Sequence, residues 1–498
     1  MNVNPITRLD YPDPDVIRVE DTYYMVSTTM HFMPGCEILQ SFDLVHWEHA
    51  TYVYETLDHT DAQQLKSGQN IYGQGMWAAS LRYHEGRFCI CFVANDTRKT
   101  YLYTSEKIDG PWKKQLIEGF YHDGSLLFDE DGRNYIVYGN DEIWITELNE
   151  DLTAPKKDGL HRLLVSDHKN PELGYEGSHI QKINGYYYIF LIHSLRDRWM
   201  RTEACFYSDS LEGEFTGGDV LCDDRGYCGQ GVAQGGIVDT PDGKWYAMLF
   251  QDSGAVGRIP ILLPVTWKDH FPFFGQNGHV PEEIEVHSTR PGYIYQPLVG
   301  SDDFCNGLLP RWQFNHDPDP RYYHLDALQG TYTITTREVC TELTQAVNTL
   351  TQRMSYPSCA AEVTVDASAL KEGDVAGLCA LQGCYAAVGI TKHHGKYEVL
   401  MLDKKEDGIL DMTEGTVVES HQMDFRLEAD FCNMKDEARC YYRVNKGDWL
   451  PIGTVHKLYF KLDHFTGCRF GLFCYAAEET GGSACFRDFK YYDVDEIS

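Results

Sequence analysis

The chain has 498 residues, room for two or three domains, with 43% hydrophobic and 13% aromatic residues, a composition that excludes wholesale disorder. Lys and Arg number 43 against 75 Asp and Glu, a formal charge of −32. That balance argues against nucleic acid or an anionic membrane as partner, because both are bound by Lys and Arg neutralising phosphates; a neutral or cationic ligand suits it better. Residues 1–8 hold no apolar segment of the secretion-signal kind, and no run reaches the roughly 18 apolar residues of a membrane helix. The 16 cysteines form no metal-type pair, so the expectation is a cytoplasmic protein whose thiols stay reduced.

Along residues 1–297, short β-branched and aromatic runs alternate with Asp, Asn and Gly turns, and helical periodicity is nearly absent. Five segments share one scheme: a polar or aromatic opener, a short strand, a tight turn, then an aromatic-rich second strand. They open at Asp13, Trp77, Asp123, Glu176 and Gln234, and turn at Asp21, Gly86, Gly132, Gly185 and Gly243. The turns recur at intervals of 46–65 residues, which holds about four strands, the size of a propeller blade. The pattern predicts an all-β chain that begins with a five-bladed β-propeller. Over 298–498 the repeat stops. Strand-like runs at 331–336, 360–366, 397–403, 425–431 and 470–475 alternate with a period of two, which predicts a β-sandwich of the jelly-roll or concanavalin-like kind.

The innermost strand of a propeller blade starts near the axis, so the five openers should face one hollow. Three carboxylates meeting there suit cleavage of a glycosidic bond, which needs one carboxyl protonated to help the leaving oxygen and one ionised to activate water or attack. Like charges raise a carboxyl pKa and nearby cations lower it, so the surroundings assign the two roles. Trp77 offers an apolar face for a sugar ring. Taken singly, each residue has a plainer reading: Asp13 and Asp123 as turn residues, Glu176 as a solvated charge, Trp77 as core, His179 as a satisfied inner-blade histidine. The shared register of the three acids is what favours chemistry.

At these residues the chain resembles glycoside hydrolase family 43 along its whole length. Asn4-Pro5 with Tyr11-Pro-Asp-Pro14 resembles the family's opening motif, which implies that Asp13 is the general base. Asp123-Gly-Ser125 resembles the segment whose Asp orients the acid and keeps its pKa raised. Glu176-Gly-Ser-His179 resembles the motif of the general acid, which implies that role for Glu176. Met30-His-Phe-Met-Pro-Gly35 resembles a subsite loop, implying sugar contacts from His31 and Phe32, and Gly254-Ala-Val-Gly-Arg258 resembles the segment bearing an active-site arginine. Trp77, Gln234 and His179 complete the implied substrate-binding set. The C-terminal region resembles the sandwich of the xylosidase-like branch, which packs on the propeller and reaches the pocket rim, although the sequence assigns no residue to that rim.

Four positions depart from the family pattern: Ser80 stands where many members have Asp, Gln234 where many have a His near a central metal ion, and Gly124 and Ser178 where prolines stand beside the acids. No metal ligand is assigned, although the axis could still hold a structural calcium through oxygens. The resemblance implies an inverting exo-hydrolase that needs no cofactor for its chemistry. It would release β-D-xylose and/or α-L-arabinofuranose from the non-reducing ends of short neutral pentose oligosaccharides, and a homo-oligomer stays open. The rival readings are a non-catalytic sugar-binding propeller, and a propeller glycosidase or phosphorylase acting on another sugar.

Overall fold

The middle of each repeat is an almost unbroken apolar run, as expected for strands covered on both faces. Arg87–Ala94 is buried in all but its first residue, and Tyr186–Ser194 likewise. The last strand of a repeat is polar instead, as in the largely exposed Lys113–Ile117. In this computed structural model, which describes residues 2–493, five four-stranded antiparallel sheets follow one another in chain order. Their innermost strands are Asp15–Val19, Met76–His84, Ser125–Phe128, Glu176–Ile183 and Ala233–Asp239. Each gap between neighbouring blades has a core of its own; Ile38, Leu81, Ile90 and Phe92 fill the first and Ile189, Val137 and Ile145 the third. Asn2–Val3 pairs with Glu283–Ile284, so the two ends of the ring are hydrogen-bonded together. The chain is thus a five-bladed propeller followed by a sandwich of one seven-stranded and one nine-stranded sheet. All 16 cysteines are free thiols.

The axis is stitched by side chains. Asp15 Oδ2 accepts the Leu81 amide of the next blade at 2.7 Å, Ser80 Oγ accepts that of Leu126 at 3.1 Å, and Ser125 Oγ that of Ile180 at 3.0 Å. Arg82 lies across the centre. It donates to Asp15 Oδ2 (2.7 Å), to Ser125 Oγ (2.7 Å) and to the carbonyls of Leu81, Leu126 and Ile180. His179 Nδ1 meets the other Asp15 oxygen at 3.1 Å. These residues do not fit a calcium ion, which needs six to eight oxygens; both Asp15 oxygens are engaged, and a guanidinium already supplies the positive charge. Beyond this plug, the far mouth of the channel is a cavity of about 410 Å³ whose lining includes Arg18, Lys182 and Trp245.

Propeller and sandwich share a sheet. Phe32–Met33, from the first blade, pairs with Gln313–Asn315 as the edge strand of the nine-stranded sheet. Arg353 of the sandwich reaches Glu37 Oε2 at 2.8 Å and the Asp10 carbonyl at 2.8 Å, and Arg469 stacks 3.4 Å from the centre of the Phe32 ring. Glu37 and Arg353 are thus buried as a pair, as their desolvation requires, while Arg469 donates to Gln313 Oε1 at 2.8 Å.

Candidate active site

Three of the five openers adopt an unusual backbone. Asp13, Asp123 and Gln234 have φ of 53°, 47° and 59°, and Gly177, just after Glu176, has φ of 65°. This left-handed region costs a non-glycine residue on the order of 1–3 kcal/mol, least for Asp and Asn, and such strain gathers at functional sites. At Gly177 a side chain would also collide, since a Cβ there would lie 2.7 Å from Gln234 Cγ. The kink turns Asp13 and Asp123 off their strands toward the mouth while the following residues run into the stitched axis.

The carboxylates have different partners. Asp13, 3% exposed, accepts Arg258 Nη1 on one oxygen at 2.6 Å and Thr28 Oγ1 on the other at 2.6 Å. Arg258 in turn meets Asp252 at 3.2 Å, and Asp252 meets Arg201 at 2.9 Å, so one carboxylate bridges two buried arginines. Phe250 lies against both guanidiniums. Glu176 is about a fifth exposed, with side-chain exposure 22%, and accepts Asn140 Nδ2 at 2.7 Å. Asp123 is buried behind it and accepts the Gly177 amide at 3.0 Å, which fixes the backbone beside Glu176.

His122 faces both acids with one nitrogen, its Nε2 3.5 Å from a carboxylate oxygen of each. Burial lowers the pKa of His122, but Asp123, Glu176 and Asp13 overcome it and raise the imidazole to about 9. Burial pushes Asp123 up to about 6, opposed by His122 and assisted by the charges of Glu176 and Asp13. Glu176 goes the other way: burial would raise it, yet His122, Arg201 and Arg258 hold it below the ordinary glutamate range. Glu176 thus departs from the expectation that its pKa is held raised, because His122, Arg201 and Arg258 outweigh its burial. The three donor atoms lie within 4.8 Å of one another; a divalent ion would need a neutral imidazole there, whereas these carboxylates hold it protonated.

Aromatic rings wall the mouth. Trp77 packs edge-on against His122 at 6.1 Å between ring centres and against Phe465 at 5.2 Å. Phe465 comes from the sandwich and also lies 3.8 Å below the Arg258 guanidinium.

Of the residues singled out from the sequence, Asp13, Asp123, Glu176, Trp77 and Arg258 meet at this mouth. Gln234 lies beneath Gly177, and its backbone N–H donates to Glu203 Oε2, on a fully buried acid that burial pushes well above the usual range. His179 sits one layer deeper, on Asp15. His31 and Phe32 are in the seam, 1% and 2% exposed, where His31 lies ring to ring with Tyr72, His316 and His464. The sequence reasoning missed His122, Asn140, Arg201, Asp252 and Phe465. His122 had a signal, as the direct neighbour of an opener; the others had none.

Residues 3–272 match the family described as glycosyl hydrolases family 43, and residues 301–492 match the β-xylosidase C-terminal concanavalin A-like domain. A β-xylosidase of Formosa agariphila is 26% identical over 99% of this chain and 89% of its own length. Among solved structures, a bifunctional GH43-CE protein of Bacteroides eggerthii superposes with a TM-score of 0.92 at 42% identity. The match covers 100% of this chain, which spans 64% of that longer one. A GH43 glycoside hydrolase engineered to display both endo-xylanase and exo-arabinofuranosidase activity matches over 99% of both chains, with 27% identity and a TM-score of 0.86.

Proposed function

The chain belongs to glycosyl hydrolases family 43, and from that premise we propose an exo-acting hydrolase that removes β-D-xylose or α-L-arabinofuranose from short neutral oligosaccharides with inversion. The observation that carries the reading is the division of labour among the carboxylates. Asp13 lies against a guanidinium and a hydroxyl, an environment suited to an anionic base. Glu176 lies on another blade, partly open to solvent, beside groups that can hold a proton.

In this reading, water bound between Asp13 and the anomeric carbon gives a proton to Asp13 as its oxygen attacks. Glu176 protonates the departing oxygen from the opposite side. Asp123 anchors the Glu176 backbone through the Gly177 amide. Arg258 orients Asp13, and Trp77 with Phe465 supplies ring faces for the sugar. The names of the relatives support pentose substrates, and the net charge of −32 suits a neutral ligand.

The test is Glu176→Ala assayed on a nitrophenyl xyloside or arabinofuranoside and on the matching disaccharide. The disaccharide rate should fall about 10²–10⁴-fold, the scale of general acid catalysis, while the nitrophenyl rate falls far less because that leaving group needs little protonation. Equal losses on both remove Glu176 from the acid role. NMR of the first sugar released from the β-xyloside should show the α-anomer; the β-anomer refutes inversion.

A further inference from the structure

The base, the guanidinium that holds it and the aromatic wall beside it come from three distant stretches of chain, around Asp13, Arg258 and Phe465. The last of these belongs to the sandwich. Asp10 lies where the three stretches meet, three residues before Asp13 and 2% exposed. Its Oδ1 accepts the backbone N–H of Arg258 at 2.8 Å. Its Oδ2 accepts the backbone N–H of Gly467, two residues past Phe465, also at 2.8 Å. Its own carbonyl accepts Arg353 Nε, again from the sandwich, at 2.8 Å.

The joint depends on close approach of backbone. A Cβ at Gly257 would lie 2.1 Å from Asp10 Oδ1, and one at Gly467 would lie 2.0 Å from the Val256 carbonyl oxygen. Main-chain bonds complete it: the Tyr11 N–H donates to the Arg258 carbonyl at 2.9 Å, and the Cys468 N–H to the Ala255 carbonyl at 2.8 Å.

We propose that Asp10 is a positioning residue of the active site, holding Arg258 and the Phe465 loop in register with the base Asp13 across the two domains. The inference rests on the base role of Asp13 stated above, and names the group that ties the sandwich to the chemistry. A carboxylate suits the task because both of its oxygens accept. Asn in its place would set an NH₂ donor against one of the two backbone N–H groups. A buried N–H left without an acceptor is costly, and the chain relieves it by moving one of the two segments away. Either movement reaches the mouth. Arg258 Nη1 donates to Asp13 Oδ1 at 2.6 Å, and the Phe465 ring lies 3.8 Å from the Arg258 guanidinium. Displacing one segment therefore disturbs the base and the wall together, and a misplacement of about 1 Å costs about 10²-fold in rate.

The experiment is a double-mutant cycle of Asp10→Asn and Phe465→Leu in the full chain, with kcat and KM measured on nitrophenyl xyloside. Asp10→Asn should lower kcat/KM about 10²-fold, through a lower kcat as the base loses alignment and a higher KM as the wall shifts. Phe465→Leu should lower it about tenfold, for the cation–π contact it gives up. Because Asp10 acts partly through the Phe465 loop, the two losses should not multiply. The double variant is expected to fall about 10²-fold, against about 10³-fold for independent sites. Losses that multiply, or an Asp10→Asn enzyme with wild-type kcat/KM, overturn the proposal. Should Asp10→Asn fail to fold, Asp10→Ser, which keeps one acceptor in a smaller volume, takes its place in the cycle with the same expected non-additivity. If neither variant folds, Asp10 serves folding alone and the proposal is overturned. Asp13→Asn separates this role from the reading beneath it. If Asp13→Asn keeps wild-type activity, the base assignment has failed. If Asp13→Asn is inactive and the cycle is additive, the positioning role of Asp10 alone has failed.

Discussion

Buried histidines behave in opposite ways at the mouth of the propeller and in the seam behind it. At the mouth, His122 faces Asp123 and Glu176 and is raised to about 9. In the seam, His31, His316 and His464 lie ring to ring, and among the described residues no carboxylate pairs with them. Burial holds His464 down to about 4, and burial together with His464 holds His316 to about 3. Desolvation lowers all four, so burial does not decide the outcome. An anion within reach does. One loop joins the two regions: His464 belongs to the neutral seam, and the next residue, Phe465, to the wall of the charged mouth.

The charged side breaks most severely if Arg258 is removed. Arg258→Met leaves Asp13 and Asp252 buried without the guanidinium they share, and losing one partner of such a pair is far costlier than never having had it. We expect kcat to fall about 10²–10³-fold, the range seen when a preorganised charge is deleted from an active site; steady-state kinetics on nitrophenyl xyloside checks it.

The neutral side is tested by acid. The folded pKa of His464 is depressed below its unfolded value of about 6.5, so its contribution is fully present above pH 6.5 and is lost as pH falls toward about 4, where the unfolded chain takes a proton that the folded one refuses. This imidazole accounts for about 3 kcal/mol of acid-side loss. His464→Phe should remove about that much of the fall in stability between pH 6.5 and 4, measured by urea unfolding at both ends.

The smallest effect is expected at the join. Phe465→Leu keeps an apolar side chain but gives up the ring contacts with Trp77 and the Arg258 guanidinium. A desolvated cation–π contact is worth about 2 kcal/mol, so we expect thermal unfolding to shift down by a few degrees and kcat/KM to drop about tenfold as the mouth loses its wall.

Sequence alone was enough for the propeller, because a blade is a local object. Strand alternation and Gly or Asp turns lie within a few tens of residues of one another, and counting them yields five units. The acids were legible for a related reason: Asp13, Asp123 and Glu176 hold the same place in their repeats, and a repeat fixes which way its opener faces. What lay beyond reach was every contact made between repeats. That His122 faces Glu176, that Asp252 joins Arg258 to Arg201 and that Arg82 fills the axis each depend on at least one pair of side chains 40 or more residues apart meeting in three dimensions. His31 and Phe32 are on the first blade, as their position in the chain requires, yet the sandwich that covers them begins far downstream and decides that they lie in a seam. The chain could specify which groups were available to hold protons; only the folded arrangement set the sign of each shift, because pKa depends on charges a few ångströms away, and distance along the polymer does not measure those.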